Sequence, residues 1–562
     1  MTATTDRAAA PRAGRKKSEG QWAKGYREPL NQNERTKKDD DALNVRARIE
    51  NIYAVQGFDS IDGGDLRGRF RWMGLYTQRA PGLDATQTGM EDEEKLDARH
   101  FMLRVRTDGA RLSTAQLRVI AGISTEFARD TADLTDRENV QLHWIRIEDM
   151  PEIWRRLERV GLQTTEACGD CPRGFLGSPL AGVAADEVLD GTPALEETVR
   201  LYIGDPQFSN LPRKFKTAIS GLQDVAHEVN DVSFVGVNHP EHGPGFDLWV
   251  GGGLSTNPMV AQRLGAWVPM DEVSDVWAGV ISVFRDYGYR RLRSRARLKF
   301  LIKDWGPAEF RRVLEDEYLH RALLDGPAPE PQTQIRDHVG VQRQRDGLNA
   351  VGVAPVAGRV SGTKLAAVAD AMERAGSNRV CITPYQKLVV LDVPDATLEP
   401  FISELDAVEL PARGSAWRRN VLACSGLEFC KLAFTETRVR AQTLVPDLER
   451  RLGDLESQLG TQITVNINGC PNSCARVQVA DIGLKGMLMS DTEGNPVEGF
   501  QVHLGGGLGA DSGFGKKLRG HKITTEEIGE YVERVVRNFA KHREPGERFA
   551  QWVKRAEEPD LR

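Results

Sequence analysis

An internal duplication constrains the fold of this 562-residue chain more than any other feature of its sequence. Residues 99–161 switch between two apolar periods in an order that predicts strand, helix, strand and helix. Residues 349–407 repeat that order, with Thr135 and Thr383 at matching places before a strand. Repeats determine the architecture and are therefore considered before the fold. The sequence predicts two matched α+β units.

A second matched pair follows these units. VSFVG to LWVGGGLSTNP (residues 232–258) corresponds to IGLKG to VHLGGGLGADSG (residues 482–513), and each is predicted to end in strand, three glycines and helix. One such turn indicates only a tight loop with positive φ, whereas two copies favour backbone N–H groups that bind an acidic cofactor. The Pro-rich stretch DGPAPEPQTQ (residues 325–334) separates the copies as a linker. We predict an internally duplicated α+β fold of four half-domains.

Composition and charge exclude several classes of protein. A net charge of −6 argues against binding nucleic acid by neutralising phosphates, and no apolar run is long enough for a membrane span. The ten histidines include no HExxH pair, which leaves hydrolase chemistry unsupported. The first 40 residues have no apolar core of a secretory signal, so we expect a solvated tail and a cytoplasmic protein. An organelle transit peptide is the less favoured alternative.

Four of the seven cysteines lie within 51 residues, in the last third of the chain. Cys424 and Cys430 form a C-x5-C pair, Cys470 and Cys474 form a C-x3-C pair, and 39 residues separate the pairs. A cubane cluster requires four thiolates, one for each iron atom. Structural zinc sites favour C-x2-C pairs, so zinc and inert buried thiols are the weaker alternatives. The spacing predicts a 4Fe-4S cluster in a reducing compartment.

The segment CPNSCARVQVADIGL, which begins at Cys470, resembles the signature of siroheme-containing nitrite and sulfite reductases. The resemblance extends from about Trp72 to Trp552 and implies two ferredoxin-like and two siroheme-binding half-domains. It also implies siroheme as a second cofactor, with Cys474 ligating both the cluster and the siroheme iron. The expected domains are a polar N-terminal extension (1–65), ferredoxin-like half-domain 1 (66–161), siroheme-binding half-domain 1 (162–335), ferredoxin-like half-domain 2 (336–410), and the cluster- and siroheme-binding half-domain 2 (411–562).

The resemblance also implies an anion site. Siroheme carries carboxylates and the substrate is an anion, so the pocket needs many cations. FMLRVR, CGDCPRGFLGSPLAG and LPRKFKT resemble the substrate-binding segments, and TDRENVQLH resembles the siroheme-contacting motif. Glu138 departs from that motif's glutamine, and no contact is expected there. The predicted catalytic residues are Arg104, Arg173, Lys214 and Lys216, and the predicted cofactor-binding residues are Thr135, Arg137, Gln141, His143, Arg213, Asn472 and Cys474.

Two further features of these segments bear on chemistry. Lys214 and Lys216 alternate with Phe215, so one strand can direct both lysines at the siroheme. Lysine is the better proton donor of the cations, because the pKa of arginine is too high. Cys168 and Cys171 form a CGDC pair that the resemblance does not explain; a plain pair of loop thiols is favoured over redox or covalent chemistry.

The expected reaction is the six-electron reduction of sulfite to sulfide. Nitrite is the alternative substrate, since RWMGLYTQR and SPLAG resemble the nitrite reductase branch, whereas family sulfite reductases carry both lysines of KFK. No flavin or nicotinamide fingerprint is evident, so a separate acidic ferredoxin is the expected donor, docking on the basic N-terminal tail or on KKLRGHK (residues 516–522). A non-catalytic iron-sulfur carrier or sensor is the hypothesis from another class.

Overall fold

The computed structural model describes residues 30–89, 92–109 and 111–562. Strands of the first half are β1 (Leu75–Arg79), β2 (Asp97–Val105), β3 (Arg111–Ser113), β4 (Ala132–Leu134), β5 (Val140–Ile145), β6 (Thr217–Ser220), β7 (Val232–His239), β8 (Gly243–Val250), β9 (Gln262–Val268) and β10 (Leu324–Asp325). Strands of the second half are β11 (Gly340–Arg343), β12 (Asn349–Val353), β13 (Arg359–Val360), β14 (Arg379–Ile382), β15 (Leu388–Val393), β16 (Val421–Ala423), β17 (Val465–Asn468), β18 (Ile482–Ser490), β19 (Pro496–Leu504) and β20 (Lys516–Thr524).

The α-helices of the first half are α1 (Gln32–Asp39), α2 (Val45–Arg48), α3 (Ala54–Gln56), α4 (Gly63–Arg67), α5 (Thr114–Phe127), α6 (Met150–Arg159), α7 (Thr192–Tyr202), α8 (Pro206–Ser209), α9 (Val273–Tyr287) and α10 (Leu298–Val313). Those of the second half are α11 (Gly362–Ala375), α12 (Leu398–Ala407), α13 (Ala416–Asn420), α14 (Gly426–Phe429), α15 (Arg438–Leu452), α16 (Glu456–Leu459), α17 (Ile528–His542), α18 (Phe549–Arg555) and α19 (Glu558–Leu561). No helix in the described ranges is both long and apolar enough to cross a bilayer.

The duplication predicted from sequence is confirmed in four five-stranded sheets. Their strand orders are β1-β2-β5-β4-β13, β10-β9-β8-β7-β6, β11-β12-β15-β14-β3 and β16-β17-β18-β19-β20. The first and third sheets exchange one strand each, because β3 pairs with β14 and β13 pairs with β4. Helices α5 and α11 begin alike, with the hydroxyls of Ser113 and Ser361 accepting from the backbone N–H three residues on. The two copies share one apolar core.

The second and fourth sheets each have a core of their own. Helices α7, α9 and α10 cover the β6–β10 sheet around Phe234 and Trp277, and α15, α17 and α18 cover the β16–β20 sheet. Residues 326–339 connect the two halves without helix or strand, as expected of a Pro-rich linker. The predicted boundaries of the half-domains stay predictions.

The prediction of a helix after each triple glycine is wrong for the first copy, where strand β9 follows. In the second copy a 3-10 helix of three residues (Gly509–Asp511) follows, and then strand β20. The N–H groups of Gly251, Gly252 and Gly253 all donate to backbone carbonyls, at 2.8 to 2.9 Å, and those of residues 505–507 do the same. A Cβ atom on Gly252 would lie 2.4 Å from the Glu228 carbonyl oxygen. The glycines therefore serve close backbone packing and leave no N–H groups for an anion.

The expectation of a solvated N-terminal tail is wrong for residues 30–40. Lys37 of α1 is 7% exposed, and its Nζ lies 2.6 Å from Glu34 and 3.3 Å from Asp170. Further on, Val45 and Tyr53 enter the shared core. In a mostly charged segment the apolar periodicity is a weak signal of helix, so these helices could not be predicted from the sequence. Residues 1–29, which include most of the predicted tail, lie outside the described residues.

Candidate active site

A cavity of about 820 Å³ opens where the first sheet meets the second and fourth sheets. Its walls come from the face of β2 and β5, the segment before β6, the loop after β8, the segment before α10, and the two cysteine-bearing loops. Every site residue predicted from sequence lines it: Arg104, Thr135, Arg137, Gln141, His143, Arg173, Arg213, Lys214, Lys216, Cys424, Cys430, Cys470, Asn472 and Cys474.

The cavity has an excess of positive charge. In the described part of the chain, fifteen Lys and Arg residues line it, against two carboxylates, Asp136 and Asp170. Asp170 is already engaged by Lys37 and by Arg293, whose Nη2 lies 2.8 Å from its Oδ1. Unbalanced cations in a partly enclosed site are costly unless an anion occupies it. The electrostatics therefore fit a polyanionic cofactor together with an anionic substrate.

Strand pairing positions Arg104 at the centre of one wall. It lies opposite Gln141 in the β2–β5 ladder, and its own N–H donates to the Gly74 carbonyl at 3.0 Å. The side-chain Nε of Arg104 is buried and has no hydrogen-bond partner. A buried guanidinium donor without a partner is rare, because leaving it unpaired costs free energy. This side chain is placed to receive a ligand.

Lys214 and Lys216 approach the cavity from one extended segment, as their alternation predicted. Phe215 between them is fully buried and bridges to Pro172, while the backbone N–H of Lys216 donates to Asp231 Oδ2 at 2.8 Å. Burial, together with neighbouring cations, lowers the pKa of Lys214 well below its ordinary value. The pKa of Lys216 falls to about 7 for the same reasons, burial first and Arg137 next.

The other predicted arginines differ in how much of their hydrogen-bonding capacity the protein uses. Arg137 donates to Asn230 Oδ1 at 2.6 Å and to the Gly174 carbonyl at 2.7 Å, and burial lowers its pKa to about 10. Arg173 donates only through Nε, to the Gly169 carbonyl at 2.9 Å. Arg213 lies at the 4.0 Å limit of ion pairing with Asp170. Arg173 and Arg213 therefore keep free donors on the cavity side.

His143 is held rigidly rather than presented as a free base. Its ring stacks on Phe429 with centroids 3.6 Å apart, and its Nε2 lies 3.0 Å from Asp133 Oδ2. Burial lowers the pKa of His143, so the neutral imidazole is favoured. Its Nδ1 is buried without a partner. The stack joins the first sheet to α14, directly before Cys430.

The four cysteines converge at the same cavity from two loops. The Gly469 N–H donates to Cys424 Sγ at 3.2 Å, which would stabilise a thiolate there. Burial raises the pKa of Cys430 to about 12, so this thiol stays protonated until a metal binds. Across the described residues, no group of three or more His, Cys, Asp or Glu is arranged to hold one metal ion. In a cubane cluster each of four thiolates binds a different iron atom, and the four cysteines that line this cavity can supply them.

Glu138 does not face the cavity. It sits at positive φ with its side chain fully buried, and its Oε2 accepts from the Gly177 N–H at 3.1 Å. Burial raises its pKa well above the ordinary value, which favours the neutral carboxyl. Cys168 and Cys171 are buried free thiols that also lie outside the cavity wall. Hence no carboxylate opposes an acidic ring at residue 138.

Several lining residues escaped the sequence analysis. The run RRLRSRARLK (residues 290–299) supplies Arg293, Arg297 and Lys299, and its density of charge was the available signal. Arg297 pairs with Asp231 at 2.8 Å, and Lys299 donates to the Leu254 carbonyl at 2.8 Å. Lys37 carried no recognisable pattern, and Tyr76 lies in RWMGLYTQR, a segment to which no site residue was assigned.

Fold and site together define a redox metalloprotein with a duplicated α+β scaffold, four convergent thiols and a cation-lined cavity. The family model described as "Nitrite and sulphite reductase 4Fe-4S domain" matches residues 168–323 and 414–562. The one described as "Nitrite/Sulfite reductase ferredoxin-like half domain" matches residues 93–160 and 341–408. The chain belongs to the nitrite and sulfite reductase family.

Individual relatives agree with this assignment. "Sulfite reductase [ferredoxin]" of Mycobacterium tuberculosis is 71% identical over 98% of this chain and 99% of its own length. "Ferredoxin--nitrite reductase" of Synechococcus elongatus is 33% identical over 87% of this chain and 93% of its own length. The structure of the Mycobacterium tuberculosis NirA protein superposes with a TM-score of 0.95 at 71% identity, covering 97% of this chain and all of that one.

The family's two cofactors, siroheme and a 4Fe-4S cluster, fit the residues present. The Arg104 Nε, which has no hydrogen-bond partner, and the ammonium groups of Lys214 and Lys216 in the cavity wall are suited to carboxylates and a bound oxyanion. Cys424, Cys430, Cys470 and Cys474 supply the thiolates that a cluster needs. Cys474 is exposed at this edge of the cavity, so it can reach a second group.

Proposed function

We propose that this protein is a ferredoxin-dependent sulfite reductase that reduces sulfite to sulfide with six electrons. The observation that carries the proposal is the meeting, in one cavity, of four cysteine thiols with Arg104, Arg173, Lys214 and Lys216. A pure electron carrier has no need of these cations. Siroheme, coupled through Cys474 to the cluster, would supply the metal centre that binds the oxyanion and receives electrons singly.

The protein's own residues would bind the anion and move protons. Arg104 and Arg173 balance the negative charge of sulfite and of the oxygen atoms as they leave. The pKa of Lys216 is lowered to about 7, so this lysine can give up a proton near neutral pH and be protonated again from solvent. The pKa of Lys214 is lowered as well, so Lys214 gives up its proton more readily than an ordinary lysine. Each departing oxygen then leaves as water. Among the cofactor contacts, Thr135, Gln141, Arg213 and Asn472 are proposed to hold siroheme.

Sulfite is favoured over nitrite by two independent lines of support. The sulfite reductase relative is 71% identical to this chain, whereas the nitrite reductase of Synechococcus elongatus is 33% identical. A sulfite dianion also gains more from a second lysine than a nitrite monoanion does, because the attraction scales with charge. Nitrite reduction to ammonia stays the alternative.

The deciding experiment compares kcat/KM for sulfite and nitrite with the same reduced ferredoxin, following sulfide and ammonia. We expect a clear preference for sulfite in the wild type and a smaller preference in Lys216→Asn. A preference for nitrite in the wild type would overturn the substrate assignment. A protein with cluster absorption and no siroheme bands after reconstitution would instead be a carrier.

Reduced ferredoxin is the proposed donor, in line with the names of the relatives, and the reducing cytoplasm is the proposed compartment. All seven cysteines are free thiols, as a reducing compartment favours. Of the two basic segments suggested for docking, residues 516–522 form part of the exposed strand β20. The N-terminal tail lies outside the described residues.

A further inference from the structure

We propose that Arg79, a buried arginine behind the cavity wall, is an electrostatic positioning residue that raises the reduction potential of the 4Fe-4S cluster. Arg79 closes the segment RWMGLYTQR, which resembled the nitrite reductase branch but received no role. It ends β1 and is 1% exposed. The inference rests on the cluster assigned above and goes beyond the ligands of that cluster.

Hydrogen bonds hold the guanidinium in place. Nε donates to the Leu83 carbonyl at 3.2 Å, Nη2 to the Asp84 carbonyl at 2.5 Å, and Nη1 to Thr88 Oγ1 at 2.9 Å. All three acceptors are uncharged oxygens. A buried arginine bound in this way keeps its full positive charge, because its pKa is too high for it to lose the proton.

The same hydrogen bonds connect Arg79 to the cluster loop. Thr88 Oγ1 donates in turn to the Ala433 carbonyl at 2.7 Å. The Ala433 N–H donates to the Cys430 carbonyl at 3.2 Å, so two hydrogen bonds follow Thr88 on the way to a cluster ligand. Phe434, the next residue, donates to the Gly469 carbonyl beside Cys470 at 2.7 Å. Arg79 is therefore fixed relative to both cysteine loops.

No carboxylate is among the hydrogen-bond acceptors of Arg79, and Thr88 connects it to Ala433 in the loop after Cys430. Burial lowers the pKa of Arg79, and the first opposing cause is the Cys430 thiol, ahead of Asp84. Asp84 is exposed, and its carboxylate accepts from the Thr86 N–H at 2.8 Å. Water screens an exposed charge far better than a buried one. The positive charge of Arg79 is thus not neutralised by Asp84, and it lies next to the loop that carries Cys430.

A fixed positive charge changes the energy of electron transfer. Each electron added to a cluster held by four thiolates increases its negative charge, and net charge is one of the factors that set cluster potentials. Attraction to Arg79 is stronger in the reduced state than in the oxidised state, and it is large in a low-dielectric interior. The arginine consequently favours uptake of an electron from the donor.

The test is a potentiometric titration of the purified holoenzyme, monitored by the EPR signal of the reduced cluster. Arg79→Gln should shift the midpoint potential to a more negative value at unchanged iron content. Arg79→Lys, which keeps the charge and loses two of the donors, should stay near the wild type. Arg99→Gln is the matched control, because Arg99 is exposed on the neighbouring strand β2. The midpoint potential of the cluster in this variant should equal that of the wild type.

Two results would overturn the proposal. One is a wild-type potential in Arg79→Gln, and the other is an equal negative shift in Arg79→Lys, which would make the role purely structural. If Arg79→Gln loses the cluster, the same potentiometric titration is carried out on Thr88→Asp and Thr88→Asn instead. The aspartate would neutralise Arg79 and should give a lower potential than the asparagine; equal potentials would refute the idea. Iron content of the wild type checks the cluster assignment separately.

Discussion

The two ferredoxin-like copies have the same strand pairing, but the matching face of each sheet carries different side chains. In the first copy Arg104 faces Gln141 across the β2–β5 ladder, and the cavity lies over this face. At the matching register in the second copy Gly352 faces Val389. There the sheet is covered by an apolar cluster that joins Val389, Leu391 and Ala350 to Leu180, Val183, Ala184 and Leu222. The side chains, and not the backbone, therefore determine whether this face of the sheet lines a cavity or packs against apolar residues.

The turns before β5 and β15 repeat the contrast. Thr135 and Thr383 accept the same backbone hydrogen bonds, and Glu138 and Gln386 share a positive φ. Arg137 reaches the cavity from the first turn, whereas Tyr385 occupies its place in the second. A cavity of only about 110 Å³ lies beside Tyr385, with linker residues 332–335 in its wall. The two copies share the conformation of this turn, but the turn borders the large cavity in the first copy and a small one in the second.

The largest expected effect concerns the cysteines that distinguish the fourth sheet from the second. Cys470 and Cys474 lie in the β17–β18 connection, and the β6–β7 connection has no cysteine. Cys474→Ser should abolish coupling between the cofactors and lower turnover by about 10³-fold or more, as expected for removal of an essential group. Visible and EPR spectra with sulfide assays check this. Cys381→Ala is the control, and full activity in Cys474→Ser would disprove the bridging role.

A smaller loss of activity is expected when the side chain of Arg104 is removed, since its counterpart in the second copy, Gly352, has none. Arg104→Ala should lower kcat/KM for sulfite by about 10²–10³-fold, the usual cost of removing one donor to a developing anion. Steady-state kinetics give the value. Arg99→Ala, on the same strand with an exposed side chain, should retain wild-type kinetics. Equal effects of the two substitutions would show that strand β2, rather than its charge, matters.

Lys216 should make stability of the cofactor-free protein depend on pH. The folded pKa of about 7 lies below the ordinary value of 10.5, so the unfolded state binds more protons between these values. Stability therefore rises with pH from about 7 towards 10.5. Lys216→Thr copies Thr464, whose backbone N–H makes the same bond, to Asp481, at 2.9 Å. Its Tm should rise less steeply with pH, and Lys303→Thr should keep the wild-type slope.

The smallest expected effect is that of Glu138→Gln, which copies Gln386. The pKa of Glu138 is raised by burial, so the folded state keeps a proton that the unfolded state loses above about pH 4.5. Wild-type stability thus falls as pH rises above that value, and the glutamine removes the loss. At pH 7 we expect the variant to be more stable by on the order of 1 kcal/mol or more, because each unit by which the pKa is raised costs about 1.4 kcal/mol once the pH exceeds the folded pKa. Thermal melts at pH 5 and pH 7 measure it; a less stable variant at pH 7 would contradict the neutral carboxyl.

The site was more predictable than its surroundings. Short motifs carry Arg104, Lys214, Lys216 and the cysteines, because their chemistry requires particular residue types at particular spacings. The prediction that the glycine turns bind an acidic cofactor was wrong, because a tight backbone contact and an anion-binding loop both require glycine. Only hydrogen-bond partners distinguish them, and the N–H groups of Gly251 and Gly252 are taken.

By itself the sequence determined the duplication, the α+β class and the family, and it singled out the four cysteines that line the cavity. These depend on periodicity and on local spacing, which a chain carries before it folds. Tertiary structure decided which copy holds the cavity, that α1 contributes Lys37 to it, and that Glu138 turns away from it. It also connected Arg79, through Thr88, to Ala433 in the loop that follows Cys430. Such relations join residues far apart in the chain, and burial, which sets their charge and their cost, exists only in the folded protein.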